Sequence, residues 1–259
     1  NGGPMPFAAL QTRIGRKTVS KKALAEAPAH LLAYDLLEFA GKDLRDAPFT
    51  TRRAVLNALL QTLPSGLPLS ASPLIPFTDW PALADLRDTS RARMAEGLML
   101  KRRTSAYHTG RKRGDWWKWK IDPYTVDAVM IYAQAGHGRR ANLFTDFTFA
   151  VRDGPNLVPF AKAYSGLTDA EFAQITAWVQ KHTLERFGPV RRVTPELVFE
   201  LAFEGIQESP RHKSGIALRF PRMVRWRHDK PLSEIDSLET LRALLQQPKG
   251  FLPPTPPEI

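Results

Sequence analysis

The chain has 259 residues, 43% of them hydrophobic and 10% aromatic, which suits a folded protein of one large or two ordinary domains and excludes a disordered one. It has no cysteine, so disulfides, thiolate zinc sites and cysteine nucleophiles are excluded together, and its six histidines show no paired ligand spacing. Lys and Arg total 37 against 26 Asp and Glu, a net charge of +11, and the excess is confined to two stretches. Residues 96–120 hold eight basic and two acidic side chains, and residues 211–230 hold seven and one, which leaves 22 basic against 23 acidic elsewhere. One such run reads as a solvated face; two runs that carry the whole excess point to a polyphosphate or nucleic-acid partner.

The opening NGGPMPFAAL has no basic stretch followed by an apolar one, so no signal peptide is expected, and no apolar run reaches membrane-spanning length. A reducing cytoplasm is the expected location. Residues 31–39 (LLAYDLLEF) read as a mostly buried strand closed by Gly41. Thr50 is placed to cap a helix running to about Gln61, and a second helix is expected over 81–95, with Asp79 or Trp80 at its start and Gly97 just past its end. Residues 98–101 and 116–121 read as strands separated by a basic, glycine-containing loop. After Asp122 the pattern changes. Three strands are expected at 126–133, 143–151 and 157–163, then a helix over 168–187 opened by a capping box of Thr168 with Glu171 and stopped by Gly188 and Pro189. Alternating Leu197, Phe199, Leu201 and Phe203 mark another strand, residues 216–226 a last one, and a short helix over 237–246 presents Leu238, Leu241, Leu244 and Leu245. Three strands, a helix and two strands is the order of an OB-fold. The tail, 248–259, is proline-rich and reads as extended.

Three motifs then occur in order. Glu96-Gly97-Leu98-Met99-Leu100-Lys101 has the form E-G-x-x-x-K; Trp116-Trp117-Lys118-Trp119-Lys120 has the form W-x-K-x-K; and Arg219-Phe220-Pro221-Arg222 leads into Arg227-His228-Asp229-Lys230, the form R-x-D-K. With Tyr34-Asp35-Leu36-Leu37 upstream, the chain closely resembles the ATP-dependent DNA ligases, its bacterial members in particular, from about Pro6 to Leu245. The resemblance implies a mixed α/β fold for residues 1–121, part of an adenylation (nucleotidyltransferase) domain, followed by an all-β OB-fold barrel with one helix over 122–247. It also implies a monomer, cytoplasmic and nucleoid-associated, that seals nicked duplex DNA with ATP and Mg²⁺ through enzyme-AMP and DNA-AMP intermediates, in DNA repair.

The chemistry accounts for the residue types. Moving AMP between phosphates calls mostly for positioning and charge neutralisation. Lys118 and Lys120, two apart on a strand, leave the same face and can grip an α-phosphate, while Trp117 and Trp119 are expected to pack behind them. By resemblance, Lys101 joins them at the phosphate or ribose, Glu96 helps hold the metal ion, and Tyr34 stacks on adenine. Arg227, Asp229 and Lys230 orient the departing pyrophosphate, with Asp229 fixing its neighbours. Arg13, Arg16 and Lys17, and Arg111, Lys112 and Arg113 in the basic loop, are expected DNA-backbone contacts; a merely solvated charge is the equal alternative for each. The family's K-x-D-G nucleophile has no counterpart, since no lysine of the sequence stands in that context, and Asn1-Gly2-Gly3 reads like the point just past the acidic motif that follows it. The missing N-terminal part of the same protein is an expected partner, whether cut away or supplied as another polypeptide, and the 259 residues alone are expected to be inactive in self-adenylation. Two readings stand beside the ligase: an RNA ligase or capping-type nucleotidyltransferase, and a non-catalytic OB-fold module that binds single-stranded nucleic acid.

Overall fold

The structure, a computed structural model, describes residues 4–5, 9–10 and 12–246; the proline-rich tail lies outside them. The described chain divides into two compact units, with the boundary between Ile121 and Asp122.

In the first unit, α1 (Lys21–Glu26) is capped by Ser20, whose Oγ accepts from the Ala23 amide. Strand β1 (Leu31–Ala33) pairs in parallel with β4 (Leu69–Ala71), and β2 (Glu38–Phe39) pairs with β3 (Lys42–Asp43) in a hairpin turned by Ala40 and Gly41, both at positive φ. The buried strand expected at 31–39 is therefore two short pieces, and it is not buried: Leu31 and Leu32 are 64% and 54% exposed, because a two-stranded ribbon leaves most of its surface uncovered. Helix α2 spans Phe49–Gln61. Its N-cap is Pro48, not Thr50, and no side chain caps it; the Thr50 amide instead donates to the Arg103 carbonyl. Helix α3 spans Trp80–Asp88, with Asp79 Oδ1 accepting from the Ala82 amide at 2.8 Å. It ends seven residues short of the expected 95, since Thr89 closes it and a 3₁₀ turn, Arg91–Arg93, takes over and stops at Met94 in the left-handed region. Gly97 is the first residue of β5 (Gly97–Lys101), which forms an antiparallel pair with β6 (Trp116–Lys120). Among the described residues of this unit, the buried apolar side chains are Ala27, Leu44, Phe49, Leu56 and Leu83.

The second unit holds the extended core. Strands β7 (Tyr124–Ala135), β8 (Phe144–Asp153) and β9 (Asn156–Ala163) form an antiparallel meander, and α4 (Asp169–Lys181) follows. The capping box is present: the Thr168 hydroxyl accepts from the Glu171 amide, and the Glu171 carboxylate accepts from the Thr168 amide at 2.7 Å. That last bond holds the Glu171 pKa below the usual range. The helix does not reach 187. It ends at Lys181, and residues Thr183–Phe187 (β10) turn through Gly188 to pair with β11 (Val190–Val193), a long-range pairing that overrides the helical pattern. Strand β12 (Val198–Phe203) joins β7 to β15 (Arg222–Trp226). The single strand expected at 216–226 is broken by Phe220 at φ 52; its first part is β14 (Ile216–Arg219), which pairs with β13 (Gly205–Glu208). The sheet runs β10-β11-β7-β12-β15 with β8 and β9 on the other edge of β7. Register shifts in the β7–β8, β8–β9 and β12–β15 pairings let it curl around Phe147, Phe149, Phe172, Ile175, Phe199, Leu201 and Phe203, all fully buried. Helix α5 (Leu238–Leu245), capped by Ser237, adds Leu238 and Leu241 to this core.

Strand β7 is covered on both faces. Val126, Ala128 and Met130 point into the main core, whereas Val129 packs with Ala150, Val198 and Ile235 on the other side. Asp127 shares the parity of Val129, so a carboxylate belongs to that second face.

Candidate functional site

In the first unit the register of the β5–β6 hairpin gathers the motif residues. Gly97 lies opposite Lys120, Met99 opposite Lys118 and Lys101 opposite Trp116, so all six share one face. Gly97 is required there twice over. Its φ is +136, and a Cβ would stand 2.3 Å from the Trp119 carbonyl oxygen and 2.6 Å from the Lys120 Cα. This kink lets Glu96 return to the same edge: its carbonyl accepts from the Ile121 amide, and its carboxylate meets the Lys120 ammonium at 3.0 Å.

Lys101 stands in an aromatic box, its Nζ 4.2 Å from the Trp116 ring centroid, 4.3 Å from Tyr34 and 4.9 Å from Phe49. Burial pushes the Lys101 pKa down, and the Asp35 charge opposes that shift. Tyr34 is half exposed and meets Trp116 edge-on; its hydroxyl hydrogen-bonds Tyr107, whose phenol is raised by that bond. Behind the box lies an ion pair that the motifs do not announce. Arg52 and Asp35 are joined in bidentate fashion at 2.8 and 2.9 Å, with side chains 0% and 3% exposed. Arg52 also donates to the carbonyls of Ala47 and Ser105, and the Ser105 hydroxyl accepts from the Trp116 indole at 3.2 Å. The sequence holds one signal for this pair: Arg52 and Arg53 stand with Phe49 and Leu56 on the buried face of α2, where apolar side chains are expected.

On the opposite face, Trp119 is covered by α3, through Trp80 edge-on and the Arg87 guanidinium 5.0 Å from its ring. Trp117 was expected beside it but is 45% exposed, with the Arg102 guanidinium 6.0 Å from its ring. Lys118 is exposed. Arg13 donates to the Ala27 carbonyl at 2.6 Å and so fastens the end of α1, while Arg16 and Lys17 are exposed. Arg111, Lys112 and Arg113 are exposed and, with Trp116 and Trp117, line a shallow cavity; Lys112 Nζ stands 3.1 Å from His108 Nε2.

In the second unit, β15 delivers Arg227, and the turn that follows, with the Lys230 amide donating to the Arg227 carbonyl, carries Asp229 and Lys230. Arg227 makes a bidentate pair with Asp229 at 2.9 and 2.8 Å, which raises the guanidinium pKa and holds the Asp229 carboxyl well below the usual carboxylate range. The third partner is Asp127. Its carboxylate accepts from Arg227 Nη1 at 3.0 Å and from Lys230 Nζ at 2.6 Å. Nothing adjacent in sequence marks Asp127, one hundred positions before Arg227. Among the described residues, no group of three acids, histidines or cysteines could alone hold a metal ion.

The chain thus combines a hairpin that sets lysines beside an exposed aromatic ring with a curled OB-type sheet followed by R-x-D-K. Comparison with known proteins gives this combination its family. Residues 1–120 match the ATP dependent DNA ligase domain, and residues 140–230 match the ATP dependent DNA ligase C terminal region. A probable DNA ligase of Opitutus terrae is 41% identical over 94% of this chain and 27% of its own length. A probable DNA ligase of Koribacter versatilis is 40% identical over 92% and 45%. The chain thus spans less than half the length of either relative. In fold it is similar to a Lig E DNA ligase described as binding DNA with a minimal scaffold, with a TM-score of 0.59 and 20% identity over 83% of this chain and 69% of the other. The chain belongs to the ATP-dependent DNA ligase family.

Proposed function

We propose that the protein seals nicks in duplex DNA at the expense of ATP and Mg²⁺, in DNA repair, with residues 1–121 forming part of the adenylation module and 122–247 its OB-domain. The observation that supports this most is the shared face of Lys101, Lys118, Lys120 and Trp116 beside Tyr34. In this reading adenine stacks on Tyr34, Lys118 and Lys120 neutralise the α-phosphate, and Lys101 serves phosphate or ribose. A lone carboxylate suits Mg²⁺, which keeps most of its shell as water and phosphate oxygens, so Glu96 is the residue that would hold it; there the ion would offset phosphate charge. Arg227 and Lys230 act on pyrophosphate, and Asp229 sets the Arg227 plane. Arg16, Lys17, Arg111, Lys112 and Arg113 would meet the DNA backbone; Arg13, tied to Ala27, would support that surface from behind.

No lysine of the sequence stands in K-x-D-G, so the lysine that accepts AMP is not among these 259 residues. Intact-mass measurement after incubation with ATP and Mg²⁺ should show no added AMP. The function itself is tested with the K-x-D-G segment supplied, on a duplex with one nick, scored by joining of a labelled 5′-phosphate. Joining of nicked RNA in preference to DNA would overturn it.

A further inference from the structure

We propose that Asp127 is the resident counter-ion of a diphosphate-binding site formed by Arg227 and Lys230, and that a phosphoanion binds there by displacing the carboxylate. This rests on the reading of those two cations as pyrophosphate ligands, and adds the group that occupies them at rest.

The charges on this face of the OB-domain show why. Asp127 lies directly opposite Glu200 in the β7–β12 register, and two like charges across strands repel unless cations are recruited. Arg225 takes Glu200 at 2.6 Å; Arg227 and Lys230 take Asp127; Asp229 takes the rest of the Arg227 fork. The three cations are each matched by a carboxylate in these pairs, so a diphosphate gains little by approaching them as they stand. Asp127 itself is anchored. Its amide donates to Asp236 Oδ2 at 2.7 Å and its carbonyl accepts from the Asp236 amide at 2.9 Å, which fixes it in β7 beneath the 232–236 segment. The cations sit in the turn 227–230 beside the exposed Asp229. Of the two sides of the pair, the cations are therefore the ones able to change partner. Lys230 holds Asp127 through one N–H donor on a flexible stem, and swinging the ammonium away to a phosphate leaves Asp127 for Arg227 alone to balance.

The test is binding of inorganic pyrophosphate to the full 259-residue chain in metal-free buffer, by calorimetry. Wild type should bind weakly. Asp127→Asn keeps the shape and the amide bonds to Asp236 but removes the competing charge, and should tighten binding at least tenfold; adding Lys230→Ala should abolish the gain. If Asp127→Asn binds no tighter while Lys230→Ala weakens wild type, the displacement idea is wrong and the pyrophosphate role of Lys230 stands. If none of the variants changes binding, both fail. Should Asp127→Asn not fold, the ¹³C carboxylate resonance of Asp127 in wild type decides. It must shift with the midpoint of pyrophosphate binding, and a carboxylate unmoved at saturation overturns the proposal.

Discussion

Truncating Arg52 to alanine would empty the most buried charged site of the first unit. The guanidinium makes two bonds to Asp35, at 2.8 and 2.9 Å, and two to the carbonyls of Ala47 and Ser105, with no side-chain exposure. Removing one partner of such a pair strands the other charge, which typically costs about 3–5 kcal/mol. Against a total stability of roughly 5–15 kcal/mol for a domain, that is enough to unfold a unit whose buried apolar side chains are few. The sign of the effect comes from orphaning the charge and not from losing an attraction, so a double change should be milder. Asp35→Asn with Arg52→Met removes both charges of the pair, and should restore at least about 1.5 kcal/mol relative to the sum of the two single changes. Urea unfolding followed at the indole N–H resonance of Trp116, which reports on the Ser105 bond, measures each corner of the cycle. Additive single effects, or a cost below about 1 kcal/mol for Arg52→Ala, would show that the pair is not what holds the aromatic box together.

Further outcomes separate the proposed roles. With the K-x-D-G segment supplied, Lys230→Ala or Arg227→Ala should slow enzyme adenylation by roughly a hundredfold to a thousandfold yet spare the sealing of nicks that already carry 5′-AMP, because pyrophosphate leaves only in the first step; Lys118→Ala should damage both, and single-turnover assays of each step check it. Binding to duplex DNA should show little sequence preference and fall as salt rises, each neutralised phosphate adding about 0.9 to the slope of log K against log salt. Asp43, held at about 2 by the Arg45 guanidinium, should stay ionised from pH 7 to 4; with its pKa depressed by folding, whatever the pair contributes is present at neutral pH and is lost only as pH falls toward 2, as its ¹³C carboxylate titration would report.

What the sequence made legible was local. The capping box of Thr168 and Glu171 and the Asp79 cap depend on residues three positions apart, the β5–β6 hairpin joins two strands adjacent in sequence, and the structure has each of them. Where an element was missed, a distant partner decided. Residues 183–187 left the helix because Val190–Val193 pairs with them, and that strand in turn pairs with β7, nearly sixty positions earlier. Residues 31–39 read as buried because the apolar run says nothing of how many strands will flank it. The motif residues could be named from spacing, but their partners could not. Asp127 is one of 26 acidic residues, and only the β7–β12 register brings it under Arg227.

The same distinction changes the meaning of the two basic stretches. By count they are equal, each with a net charge of +6. In the structure, Arg222 is paired with Glu204, Arg225 with Glu200, and both Arg227 and Lys230 with Asp127, so four of the seven cations in 211–230 are matched by acids from β7 and β12 or just beyond its end. A charge count over a window omits such partners by construction. In 96–120 the equivalent tally goes the other way: the loop cations Arg111, Lys112 and Arg113 are exposed, on a hairpin whose own acids, Glu96 and Asp115, are engaged with Lys120 and Arg102. Exposed, unneutralised cations are those that release counter-ions from DNA, whereas cations already held by carboxylates bring nothing until they change partner. The salt slope of DNA binding should therefore come chiefly from the first stretch. The second is better suited to a ligand that competes for its cations one at a time, as a departing pyrophosphate would.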